Sequence, residues 1–193
     1  MLKKAFIWQR HNTPTLEFFQ IEEKADVYSA SGTVVGQIQG ENLSLNYEVT
    51  TDKNWQFLSV RLTQNTDQDL EKTTNIRRDD DGQWYVDDTA RPDLKPCLEI
   101  DIAATPFTNT LPINRLRDAL ETETELSMAY ISVPGLAVEP VVQRYKALED
   151  SADNRRYLYK GVFRGFEGVI DIDRDGLVLK YSDTFDRLSA SSQ

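Results

Sequence analysis

Apolar and polar positions alternate with a period of two along most of this chain. The clearest run is Leu43, Leu45, Tyr47 and Val49, each separated by a polar neighbour, which predicts a strand with one buried face. Comparable runs over 4–9, 15–21, 25–37, 73–78, 83–87, 123–133, 138–148, 157–166, 167–173 and 177–181 predict further strands. From 55 to 63, Trp55, Phe57 and Ser59 fall on one face and Leu58, Val60 and Leu62 on the other, so this strand pairs as a hairpin with the run before it. Turn chemistry separates the runs at Asp52-Lys53-Asn54, Asp79-Asp80-Asp81-Gly82, Pro134-Gly135 and Arg174-Asp175-Gly176, and Gly32, Gly36 and Gly40 read as turns or bulges. The span 64–72 reads as an exposed polar turn, 88–96 as a loop and 186–193 as a frayed tail. A dozen or so short strands without a repeat predict a mainly β fold, one large antiparallel sheet closed or rolled on itself, with 1–193 as a single domain.

One stretch breaks the period. Leu98, Ile100 and Ile102 alternate with Glu99 and Asp101, and Thr105-Pro106 then stops the strand, because proline restrains its predecessor and offers no backbone donor. Thr108, Asn109 and Thr110 are residue types that cap helices, and Pro112 suits a first turn. Ile113, Leu116 and Leu120 follow at helical spacing and are expected to be buried. No other stretch reads convincingly as helix.

Composition narrows the partners. A formal charge of −10 over 193 residues counts against nucleic acid, which needs a positive patch, and against adsorption to anionic lipid surfaces. It leaves room for an apolar ligand inside the fold. No apolar run reaches the length of a membrane span, and the opening MLKKAFIWQRHN lacks the core of a signal peptide. Cys97 is the one cysteine, which forbids an internal disulfide and reads as a small buried residue. A cytoplasmic location is the expectation.

The segment Thr105-Pro106-Phe107-Thr108-Asn109-Thr110-Leu111-Pro112-Ile113, preceded by Cys97 and an acidic-alternating strand and followed by Arg115-Leu116, resembles the bacterial family of putative glycolipid-binding proteins. Gln143-Arg144-Tyr145, the hairpin from Asp79 to Trp84 and the run FRGFEGVIDIDRDGLVLKYSDTFDRL resemble the same family. The resemblance implies a large antiparallel sheet rolled around a single short helix, as a spiral β-roll or half-barrel. It also implies a lipid-like ligand, by analogy with half-barrels that carry lipids. Asn114 departs from the pattern, standing where members often have a second arginine.

The chemistry-bearing groups are few. Asp171, Asp173, Asp175 and Gly176 match the start of a calcium loop, but Ser182 occupies the position of the bidentate carboxylate, so a turn is the better reading and no metal or cofactor is expected. Glu99 and Asp101 share a strand face about 7 Å apart, a spacing open to two-carboxylate hydrolysis or to an ion pair with Arg115 or Arg77. His11 is the one histidine and reads as a surface residue. The preferred reading is a non-catalytic binding protein for a glycolipid or other amphipathic ligand. Its candidate contacts are Arg115 as headgroup anchor, Asn109, and the aromatics Trp84 and Tyr145. Arg115 is favoured over Arg144 because it rides on the enclosed helix, with a structural ion pair to Glu99 or Asp101 as the rival explanation. A hydrolase using Glu99 and Asp101 and a ligand-free homodimeric interaction module are the alternatives.

Overall fold

The computed structural model describes residues 1–68, 71–151 and 154–188. The first half comprises β1 (Lys3–Arg10), β2 (Thr15–Glu23), β3 (Val27–Ile38), β4 (Glu41–Asp52), β5 (Phe57–Thr66), β6 (Lys72–Arg78), β7 (Trp84–Val86) and β8 (Thr89–Ala90). Then β9 (Glu99–Ile102) leads into α1 (Thr110–Leu116), which 3-10 turns extend at both ends so that 107–121 is helical. The second half is β10 (Thr124–Ile131), β11 (Val138–Ala147), β12 (Arg155–Gly161), β13 (Phe166–Ile172), β14 (Val178–Tyr181) and β15 (Phe185–Leu188).

All fifteen strands form one sheet, running from β8 back to β1, across to β15, and back again to β9. Every pair of neighbours in the sheet is antiparallel except β9 and β10, which run parallel. A parallel pair cannot be joined by a hairpin and needs a crossover. The helical segment is that crossover, which gives the single helix its place in the topology.

The tail does not fray from 186: Asp186 to Leu188 belong to β15, which pairs with β1 from Ile7↔Leu188 to Arg10↔Phe185 and joins the two halves of the sheet. Residues 189–193 lie outside the described residues. Gln64 is buried within β5 rather than exposed in a turn, and the predicted loop contains the short edge strand β8. In the β4–β5 pair, Thr50 faces Ser59 and Thr51 faces Phe57, so Leu58 is bulged out. The bulge resets the alternation, and Phe57, Val60 and Leu62 all become core. The strand expected over 157–166 ends at Gly161, and the chain turns before β13 begins at Phe166.

The burial pattern shows how the sheet curls. In β1 to β5 the inward set includes Trp8, Phe19, Val34, Leu45 and Leu62, all fully enclosed. At the far end, β9 and β10 pair Glu99↔Met128, Ile100↔Ala129, Asp101↔Tyr130 and Ile102↔Ile131. Glu99 and Met128 are 0% exposed, and so are Ile100, Ala129, Ile102 and Ile131, which alternation sends to the opposite face. A terminal strand pair covered on both faces lies inside the roll, so the sheet spirals around it.

The helix fills the interior beside this inner edge. Leu111, Ile113 and Leu120 are fully buried, whereas Leu116 is only half-buried, because it ends α1 where the segment emerges. Phe107 packs on Phe19 with centroids 4.8 Å apart. Two indoles tie distant parts together: Trp8 Nε1 donates to the Val178 carbonyl at 3.0 Å and Trp84 Nε1 to that of Cys97 at 3.1 Å. Asn109 places no side chain on the free amides of α1; at the start of the helical stretch it is Thr105 Oγ1 that accepts from Phe107 N–H, at 3.1 Å. The Thr108 hydroxyl accepts from Ile102 N–H at 3.2 Å and donates to Asp101 at 3.2 Å, fastening β9 to the helix.

Candidate functional site

A cavity of about 510 Å³ opens at one mouth of the roll. That volume falls in the range usual for small-molecule sites. Its walls come from both halves of the chain: the β1–β2 and β3–β4 turns, the end of β9, β10, β12 and the β12–β13 turn, and β14 with β15. One wall is aromatic. Tyr159, Phe166 and Tyr181 lie 5.7–6.2 Å apart in tilted and edge-on pairs, and Phe185 continues the row 6.5 Å from Tyr181. Gly168 makes this row possible, because a side chain at that point of β13 would press on the Tyr181 and Phe166 rings.

Polar groups line the cavity as well. Asp101 accepts from Gln143 Nε2 at 2.5 Å and from the Thr108 hydroxyl at 3.2 Å. Burial raises its carboxyl above the ordinary value, while those two donors and the field of Arg164 draw it back. Thr105 and Asn109 lie beside it, and Arg10 and Arg164 stand on the rim.

Behind Thr105 sits a buried carboxyl that sequence reading missed. Glu17 Oε1 accepts from the Tyr47 hydroxyl and from Thr105 Oγ1, the latter at 2.9 Å, and Oε2 has no partner among the described residues. Burial pushes this carboxyl up to about 8, against the two hydroxyl bonds. An acidic residue inside a run of alternating apolar positions, as in Thr15-Leu16-Glu17-Phe18-Phe19, is the signal that could have found it.

The four residues singled out from the sequence are placed unequally. Asn109 reaches the cavity; its Oδ1 accepts from the Tyr145 hydroxyl at 2.9 Å and its Nδ2 donates to the Pro106 carbonyl at 3.2 Å. Tyr145 stands one layer behind, fully buried, also bonded to Gln143 at 3.1 Å and edge-on to Tyr159 at 5.3 Å. Arg115 turns away from the cavity and pairs with the buried Glu99. Trp84 is enclosed in the core, stacked on Phe57 at 5.0 Å. Asn114 also faces elsewhere: its Nδ2 donates to the Asp175 carbonyl at 3.1 Å, and it fills the space against Gly176, where a Cβ would overlap it.

Glu99 and Asp101 do not share a site. Only Asp101 lines the cavity, whereas Glu99 is sealed against Arg115, with its carboxyl raised by burial and drawn back by that guanidinium and by Arg78. The turn read against a calcium loop is organised around Asp173, whose Oδ1 accepts the amides of Asp175 and Leu177 at 3.0 Å and whose Oδ2 meets Lys4 and Arg187.

Asn109→Ala should cost about 1–2 kcal/mol, because it leaves the buried Tyr145 hydroxyl with Gln143 alone. Urea denaturation checks this; stability within about 0.5 kcal/mol of wild type, the scale of ordinary surface substitutions, would contradict it.

The comparisons with known proteins agree with this geometry. The family model described as "Putative glycolipid-binding" matches residues 5–187. The chain belongs to that family. A solved structure of a DUF1089 family protein from Pseudomonas aeruginosa is 28% identical over 89% of this chain and 92% of its own, with a TM-score of 0.75. A beta-barrel-like protein of the domain of unknown function DUF1849 from Brucella abortus matches at a TM-score of 0.55 and 11% identity, over 96% of this chain and 93% of its own, which shows the fold alone. No curated protein matches. The chain is therefore a rolled, mainly β member of the family described as "Putative glycolipid-binding".

Proposed function

We propose that the protein is a non-catalytic binder of an amphipathic, lipid-like molecule held at the mouth of the roll. The observation that carries this reading is the cavity itself, whose lining combines the aromatics Tyr159, Phe166 and Tyr181 with Asp101, Asn109 and the two rim arginines. A ligand with one apolar and one polar end matches such a mixed lining. The family description supports the ligand class. Hydrolysis by Glu99 and Asp101 loses its basis, since a carboxyl sealed in an ion pair meets no substrate. A cytoplasmic setting goes with the reading: Cys97 is a buried free thiol, pushed up to about 12 by burial, and has no partner for a disulfide. Among the described residues no helix is long and apolar enough to cross a membrane.

Nile red, a neutral dye that brightens in apolar surroundings, tests the site. Its emission should rise with the wild-type protein, be displaced by dodecyl glucoside, and fall away in Thr184→Trp, which plugs the mouth from a partly exposed turn. Equal dye binding by the plugged variant would place the apolar site elsewhere.

The second reading, a ligand-free homodimer, is favoured by one feature. Ile7, Leu16, Phe18, Val35 and Leu188 are all exposed on the outer face of neighbouring strands β15, β1, β2 and β3. Sedimentation of the wild type and of Phe18→Ser decides it: a dimer that the substitution dissociates supports it, and a monomer in both removes it.

A further inference from the structure

Two guanidiniums converge on the cavity without a carboxylate to neutralise them. Arg10 ends β1, Arg164 lies in the turn between β12 and β13, and both line the mouth. Among the described residues neither makes an ion pair or a side-chain hydrogen bond, and what sets them apart from other arginines without a salt bridge is that both line this cavity. With 32 acidic residues against 22 basic ones, carboxylates are not scarce in this chain. The one acidic residue on the cavity wall, Asp101, is engaged by Gln143 and Thr108 instead.

Both guanidiniums lie over aromatic rings. Arg10 Cζ sits 5.5 Å from the Phe185 centroid, and Arg164 Cζ sits 4.9 Å from that of Tyr130 and 5.3 Å from that of Phe163. A cation–π contact of this kind favours the position over the ring and uses none of the group's N–H donors in a hydrogen bond to a carboxylate. The Arg10 guanidinium lies below its ordinary value, mainly through burial, and Arg164 lowers it further by like-charge repulsion.

Building on the cavity as an amphiphile site, we infer that its mouth is an oxyanion site: Arg10 and Arg164 together grip a phosphate, sulfate or carboxylate headgroup whose apolar chain lies along Tyr159, Phe166 and Tyr181. An oxyanion between the two removes their repulsion and accepts several charge-assisted bonds at once. A neutral sugar headgroup would leave both charges unbalanced. The site therefore discriminates by headgroup charge, with the aromatic row supplying affinity for the chain.

Calorimetric titration below the micelle concentration tests this with dodecyl phosphate, dodecyl glucoside and inorganic phosphate. Dodecyl phosphate should bind tightest. Arg164→Gln, a change on an exposed turn, should weaken it about tenfold and leave dodecyl glucoside unaffected, and Arg10→Gln should do the same. Equal affinity for both dodecyl compounds, unchanged in the variants, would overturn the oxyanion site while keeping the amphiphile cavity. Inorganic phosphate binding as tightly as dodecyl phosphate would mean a site for the free anion and overturn the headgroup assignment. If neither dodecyl compound bound, the cavity reading would fall and this inference with it.

Discussion

Arg115→Met should lower the stability of the protein by about 3–5 kcal/mol, the scale for leaving a buried charge without its partner. Glu99 is 0% exposed and Arg115 is its ion-pair partner, with a side chain only 19% exposed. Removing the guanidinium strands the buried carboxylate near Cys97, where it must either stay charged with only the field of Arg78 or take up a proton. The second oxygen of Glu99 and Arg115 Nη2 already lack partners among the described residues, so the pair has no spare bonds to soften the loss. Replacing both members, as in Glu99→Leu with Arg115→Met, should recover much of the stability, because apolar residues of similar volume often substitute well for a buried pair. Urea denaturation of the three variants measures this. Near-wild-type stability for Arg115→Met, accompanied by weaker lipid retention, would restore Arg115 as a headgroup anchor and contradict the assignment.

Glu17→Gln should flatten the dependence of stability on pH between about 4.5 and 8. The folded carboxyl sits at about 8 against an ordinary 4.5, so across that window the folded state holds a proton that the unfolded state has released. Wild-type stability should therefore be greatest below pH 4.5 as far as this group is concerned, and should fall as pH rises towards 8. The span corresponds to about 3–5 kcal/mol, at about 1.4 kcal/mol for each unit of pKa. Glutamine keeps an acceptor for Tyr47 and Thr105 and has no proton to lose. Any constant cost of the amide shifts the whole curve, so the slope is the readout. Chemical denaturation at a series of pH values gives it, and equal slopes in wild type and variant would mean that Glu17 is not buried as described. Because Thr105 bonds Glu17 and also lines the cavity, ligand affinity provides a second signal of the same titration.

Much of the fold was legible because period-two patterning reports one-sided burial directly. Strand β4, with Leu43, Leu45, Tyr47 and Val49 inward, lies where alternation put it. Proline at 106 and 112 marked the change from strand to helix. Three things were not legible, each for a physical reason. The bulge at Leu58 adds one residue without any turn signature, and it reverses every later side chain in the strand. Gly32 reads as a turn glycine but sits mid-strand opposite Tyr47, where a Cβ would overlap the tyrosine ring. The join of β15 to β1 depends on contacts between the ends of the chain, which no local pattern encodes.

The cavity was harder to read for the same reason. Its walls come from residues as distant as Arg10 and Phe185, brought together only by the roll. Helix residues drew attention because their segment is chemically unusual, yet most of that chemistry goes into fastening: Thr108 to β9, Asn114 to the Asp175 turn, Arg115 to Glu99. The rim arginines had a fainter signal. Phe163-Arg164-Gly165-Phe166 sets an arginine between two aromatics at a glycine turn, a pattern suited to a cation stacked on rings at an exposed tip.

Native mass spectrometry of freshly purified protein, taken through a gentle buffer exchange and then saturated with dodecyl phosphate, shows whether the cavity holds an amphiphile. One discrete, non-covalent adduct is expected on the wild-type chain, either carried from the cell or formed on addition, and it should be lost in Thr184→Trp. A bare chain under both conditions, or an adduct equally abundant in the plugged variant, would contradict the amphiphile site.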